Sequence, residues 1–263
     1  MVLYARTLML RNCGRFTHIS SDFGSQYHTH TFATSEALYA SLTREMTWRH
    51  ESRFVDLEED AKKATSTDYF VCDYDVRAKP VWFTPGVFVD EQLHPLAKER
   101  GVVDRNDFNV VDEGHPGTGG GSRPYYVPTY GRIESVLPDH RVLTCALSPH
   151  RDELEWFTAS QTFILGKKRT MFQITRLSPV VDEIWKQGRC VTGWLELPPN
   201  YGDHFQSFEV LAATMRYIVL RGTTRQEVDY VEFSFPDGNF SLPDFYLKQT
   251  PIWDFIGNGA IGR

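Results

Sequence analysis

An α+β fold with an antiparallel sheet and few helices is what the order of segments in this 263-residue chain predicts. Three observations carry that expectation. Short stretches rich in β-branched and aromatic residues recur along most of the chain, as strands require. Helical spacing of apolar residues is confined to one early segment and one late one. A Pro-Asp-Gly-Asn turn near the C-terminus separates two strand-like runs, a strong hairpin signal. The order strand, helix, many strands, helix, strand follows, with helices segregated from an antiparallel sheet.

Residues 2–11 (VLYARTLMLR) alternate imperfectly and read as the first strand, with Val2, Tyr4, Leu8 and Leu10 able to share a face. The polar stretch Asn12 to Thr31 reads as a loop. In 31–46 (TFATSEALYASLTREM), Ala37, Leu38, Leu42 and Met46 fall at helical spacing, and Thr34 or Ser35 supplies an N-cap oxygen. Residues 69–76 and 81–84 suit strands. The stretch 98–124 is charged and then glycine-rich (GHPGTGGGSRP) and reads as a flexible loop or insertion within one 1–263 unit. Strands are expected at 132–137, 141–148, 160–165, 170–177 and 190–197. Residues 206–220 start helix-like, and strands at 228–235 and 240–247 flank the hairpin turn.

Bulk composition narrows the function. The chain is 41% hydrophobic and 24% charged, as globular domains are, with a high aromatic content of 14%. A net charge of −6 means that any nucleic-acid contact must come from local clusters of Lys and Arg. No run reaches the roughly 18 apolar residues that span a bilayer. Arg6 and Arg11 bracket too short an apolar stretch for a signal peptide. Cys13, Cys72, Cys145 and Cys190 form no C-x-x-C pair, so neither a zinc chelate nor a disulfide framework is expected, and a reducing cytoplasm is the simplest setting.

The sharpest local motif is Phe163 to Thr170 (FILGKKRT). An apolar strand ends at Gly166, and Lys167, Lys168 and Arg169 follow at the tip of a turn. Such a tip presents positive charge where phosphates approach, each neutralised phosphate on a single strand adding about −0.7 to the log–log salt slope. A solvated hairpin tip with no partner is the other reading. In Pro128 to Ile133, Tyr130 and Arg132 flank Gly131, an arrangement able to stack a base and hold a phosphate. It equally suits a packed Tyr, a turn and a solvated Arg.

His28 and His30 invite a metal or general-base reading, but no neighbouring ligand set completes a metal site and H-E-x-x-H is absent. A structural hydrogen-bonding role is the alternative. The glycine run 117–121 lacks the context of a phosphate-binding loop, and no G-x-S-x-G occurs. The C-terminal aromatics (Phe233, Phe235, Phe240, Phe245, Tyr246, Trp253, Phe255) fit either a stacking platform or the core side of strands. No residue is assigned a catalytic role, and no cofactor or metal is expected.

Five segments together resemble one family in its own order: VLYARTLMLR, HTHTFATSEALYASLT, VPTYGRI, FILGKKRTMFQI and FSLPDFYLKQTPI. They are similar to the type I-D CRISPR Cascade subunit that grips the 5′ handle of the guide RNA. The resemblance implies an RNA-recognition-type, ferredoxin-like core with a β-rich extension. It also implies a non-catalytic role in antiviral defence: capping the crRNA 5′ handle, docking the large subunit and the first backbone subunit, and reaching target DNA through the complex. The RNA-contacting set it suggests is Lys167, Lys168, Arg169, Tyr130 and Arg132, to which His28 and His30 are added as candidates from the residues themselves. The chain departs from the family where His30-Thr31-Phe32-Ala33-Thr34 stands in place of His-Asn-aromatic-Ala-Leu, and in the length of 98–124. Two other classes remain open, a metal-independent endoribonuclease of related fold and a protein-interaction scaffold without RNA contact.

Overall fold

A computed structural model describes residues 2–17, 19–23, 26–50, 80–110, 129–165, 170–214, 216–253 and 255. The expected strand at 69–76, most of the glycine-rich stretch and the closing peptide lie outside these residues.

Alternation along the first segment produces β1 (Tyr4–Asn12), whose Ala5, Leu8 and Leu10 are fully buried. The buried set changes phase between Ala5 and Leu8, and a register shift against the neighbouring strand falls between Met9 and Leu10, where Thr175 of that strand is the extra residue. Four short elements follow: β2 (Ile19–Phe23), β3 (Gln26–Thr29), β4 (Phe32–Ala33) and helix α1 (Ser35–His50). The Thr34 hydroxyl accepts the Ala37 N–H at 3.3 Å and caps α1, as the sequence suggests. Leu38, Tyr39 and Leu42 of α1 are buried in the main core.

Next come β5 (Trp82–Phe83), β6 (Gly86–Val89), β7 (Val103–Val110), β8 (Thr129–Val136) and β9 (Arg141–Ser148). A helix of five residues, Arg151–Glu155, leads to the hairpin β10 (Thr162–Leu165) and β11 (Thr170–Leu177). The rest of the chain is β12 (Val181–Asp182), β13 (Ile184–Gly188), β14 (Leu195–Leu197), a 3-10 turn at Pro199–His204, β15 (Phe205–Ala213), β16 (Ile218–Thr224), β17 (Val228–Phe235) and β18 (Gly238–Pro243), then a last short helix, Asp244–Leu247.

The strands form four sheets. The main one runs β10-β11-β1-β9-β6-β4, with β12 beside β1 and β5 beside β9; a second runs β2-β3-β8-β7, and two three-stranded sheets are β13-β17-β18 and β14-β16-β15. One contiguous core joins the main sheet and α1 to β14, β16, β17 and β18. A smaller cluster of Phe32, Val87, Val89, Ala212 and Val219 seals β4 and β6 against β15 and β16.

This architecture corrects the expected fold class. The molecule is mostly β, and its main sheet is curled into an antiparallel half-barrel instead of an α+β ferredoxin-like core. The physical reason lies in the balance of packing. Between β9 and β10 the helix is only five residues long, and the late helix expected within 206–220 is strand β15. Covering of the sheet falls to other strands. Two loop readings are also corrected: Asn12–Thr31 contains the β2–β3 hairpin, and Val103–Val110 within 98–124 is β7, paired along its whole length with β8.

Candidate nucleic-acid interface

The cationic motif sits on a well-anchored hairpin. Leu165 pairs with Thr170, and Phe163 pairs with Phe172 in stacked geometry at 5.8 Å between centroids. Phe163, Leu165, Phe172 and Ile174 are buried, so both strands of the hairpin are tied to the core. Residues 166–169, which hold Lys167, Lys168 and Arg169, join these paired ends and lie outside the described residues. On the outward face Ile164 and Met171 pair directly and are 57% and 50% exposed, an apolar spot next to the cationic segment.

The segment Cys13–Thr17 ties the hairpin to the second sheet. Cys13 N–H donates to Met171 O at 2.8 Å, and the Thr170 hydroxyl donates to Arg15 O at 2.6 Å. At its other end, Phe16 and Val136 exchange backbone hydrogen bonds, and the Thr17 hydroxyl donates to Glu134 O at 3.2 Å. Only Phe16 lies between Arg15 and Thr17, so the Glu134 backbone and Thr170 lie within about 15 Å of each other. Buried Asn12 fixes this junction, its amide nitrogen donating to Gly14 O and Leu137 O and its oxygen accepting the His140 N–H.

Glu134 is the centre of the second sheet. It lies on β8, between β3 and β7, and its side chain is only 4% exposed. Arg105 stands directly opposite on β7 and donates from Nε to Oε1 at 2.9 Å. On the other side β3 runs parallel to β8, which brings His28 and Thr29 alongside. His28 Nδ1 lies 3.3 Å and Lys98 Nζ 3.6 Å from Oε2, and the Thr29 N–H donates to the same oxygen at 3.3 Å. Burial acts to raise the Glu134 pKa. Lys98, the Arg105 hydrogen bond, the Thr29 N–H and His28 outweigh it and hold the carboxyl below its ordinary value.

The remaining candidates fall on or near this sheet. Arg132 occupies β8 two positions before Glu134, beside Gln26 of β3 and opposite Asp107 of β7. Tyr130 stands opposite Asn109, about 20 Å along the strand from Val136. His30 stands just past the end of β3, its ring 5.3 Å from that of Phe32. The structure thus brings His28 and Arg132 onto adjacent strands, while His30 follows β3. Of the C-terminal aromatics, Phe233 and Tyr246 are fully buried and Phe235 nearly so, which makes them core and not platform.

Lys98, Arg105 and Glu134 carry no motif in the sequence. Their only shared signal is charge; the β7–β8 register sets Arg105 against Glu134, and Lys98 reaches it from the turn that precedes β7. Among the described residues no group of three or more His, Cys, Asp or Glu is placed to hold a metal ion, and no helix is long and apolar enough to cross a membrane. No protein-family model matches the chain, and no curated protein matches it in sequence.

Proposed function

We propose that this chain is an RNA-binding subunit of a ribonucleoprotein, acting without cleavage, and specifically the subunit that caps the crRNA 5′ handle in a type I-D CRISPR Cascade complex. In that role it docks the large subunit and the first backbone subunit. The observation that carries the reading is the hairpin β10–β11: a pair of strands packed into the core through Phe163, Leu165 and Phe172 brackets the sequence Gly166-Lys167-Lys168-Arg169. Cations bracketed in this way lose less freedom on meeting a phosphate than cations on a free tail. The five sequence segments that resemble the family support the specific assignment.

The test is charge reversal at Lys167, Lys168 and Arg169 in a chain expressed with its operon neighbours. The expected result is a complex that loses guide RNA or its 5′ end, while the isolated variant melts like the wild type. A variant complex that keeps its RNA with unchanged salt sensitivity rules the assignment out.

One observation favours a second reading, the metal-independent endoribonuclease. His28 beside the buried Glu134 carboxylate, with Lys98 and Arg105 adjacent, has the composition of a general base with nearby electrostatic stabilisers. That reading requires the purified protein to cut repeat RNA in EDTA and His28→Ala to stop it.

A further inference from the structure

We infer that Lys98, Arg105 and His28, gathered round the buried Glu134 carboxylate, form a seat for a phosphate group. That the phosphate is one of an RNA backbone rests on the function proposed above; the seat itself does not.

The charges do not balance at this position. Among the described residues two permanent cations, Lys98 and Arg105, share one carboxylate, which leaves one net positive charge. The carboxylate is sealed inside the sheet while its partners are open to solvent, Arg105 at 68% and Lys98 at 38% exposure. A solvent anion therefore meets the cations and not the acid. Asp104, the next acid in sequence, is adjacent to Arg105 on β7, where alternation turns neighbouring side chains to opposite faces, and it is paired with Arg15 at 2.7 Å.

The donors are also preorganised. Glu134 engages Arg105 through Nε, and among the described residues no hydrogen bond takes up the two Nη groups of Arg105, which can make a forked contact with two anion oxygens. Lys98 Nζ lies 3.6 Å from Oε2, an ion pair longer than a hydrogen bond, and its ammonium carries three N–H donors. Glu134 is thus a positioning residue that fixes the cations within a few ångströms of one another. The Glu134 backbone at the foot of the seat lies within about 15 Å of Thr170, at the base of the hairpin, so a short run of phosphates spans the two.

The experiment uses the purified full chain in three forms: wild type, Lys98→Gln/Arg105→Gln, and Lys167→Glu/Lys168→Glu/Arg169→Glu. Anisotropy of a labelled short oligouridylate is followed across sodium chloride concentrations, and melting temperature is followed with inorganic phosphate against chloride at matched ionic strength. The Lys98/Arg105 variant is expected to bind about tenfold more weakly with a log–log salt slope shallower by about 0.7. Phosphate is expected to raise the melting temperature of the wild type more than that of this variant. Arg105→Lys, which keeps the charge but not the fork, is expected to retain the slope and lose part of the affinity.

Unchanged affinity, slope and phosphate response in the Lys98/Arg105 variant overturns the seat; if the hairpin variant is weakened at the same time, the RNA reading stands without it. Loss of oligonucleotide binding with no response to inorganic phosphate identifies a backbone phosphodiester as the occupant. A phosphate response that depends on Lys98 and Arg105, in a protein that ignores the oligonucleotide, upholds the seat for a free phosphate and overturns the RNA reading. A wild type that responds to neither probe overturns both.

Discussion

Glu196 is withdrawn from water at the start of α1, where its Oε2 accepts the Ser35 N–H at 2.8 Å. Burial pushes its pKa up to about 7; the Ser35 N–H pulls the other way, and nearby Glu36 adds to the rise. Three buried polar atoms without a hydrogen-bond partner, Ser35 Oγ, Trp82 Nε1 and Tyr246 Oη, lie in the surrounding core. The folded pKa is above the unfolded one, so Glu196 contributes stability that is full below about pH 4 and is lost as pH rises through about 7. Glu196→Gln is expected to flatten that decline and to be more stable than the wild type at pH 8 by on the order of 1–3 kcal/mol. Melting temperatures at pH 5 and pH 8 check it; parallel shifts in both proteins would contradict the assignment. Glu134 has the reverse sign. Its folded pKa is depressed, so its contribution is present at neutral pH and disappears on acidification through the carboxylate range. His28 was legible as a polar residue of interest, yet its partner was not. More than a hundred positions of sequence separate His28 from Glu134, and nothing short of the β3–β8 register brings them together.

At the scale of elements, sequence reading succeeded where one face of a strand is buried and the turns are marked. β9, β11 and β17 have the bounds that alternation and glycine or proline punctuation suggest, and Thr34 announces α1. It failed at β15. There Phe205 and Phe208 stand at helical spacing, and the register against β16 shifts twice, between Phe205 and Ser207 and between Val210 and Ala212, so no period of two survives in the sequence. The β15–β16 pair also explains Gly222. A Cβ at that position would lie 2.3 Å from Ser207 O and 2.7 Å from the Phe208 Cβ, so only a residue without a side chain lets the strands approach. Gly222→Ala is expected to destabilise the protein by about 1–3 kcal/mol, the range of overpacking, read as a lower denaturation midpoint with unchanged slope.

For the whole molecule, the composition announced a globular protein with a strand-rich chain, and the antiparallel pairing was legible in its turns. The half-barrel was not, because curl and covering are set by which strands seal the sheet once helices are few. The main core runs without a break from Leu3 to Ile252 through α1, β14, β16, β17 and β18. Residues far apart in sequence therefore share the same buried contacts, and separate melting of the C-terminal sheets would expose Leu195, Leu220 and Phe233 together with the face they cover. Far-UV circular dichroism and tryptophan fluorescence are expected to report one coincident thermal transition. Two resolved steps would show that the C-terminal sheets unfold on their own.

The twice-shifted register of β15 has a bearing on solubility. Among the described residues this strand is hydrogen-bonded on one side only, and Phe208 and Val210 stand 48% and 43% exposed along it. A straight border of that composition would template further chains into a growing stack. Two kinks in nine residues leave a neighbouring backbone no continuous ladder to match, and so protect the chain from self-assembly along this apolar margin.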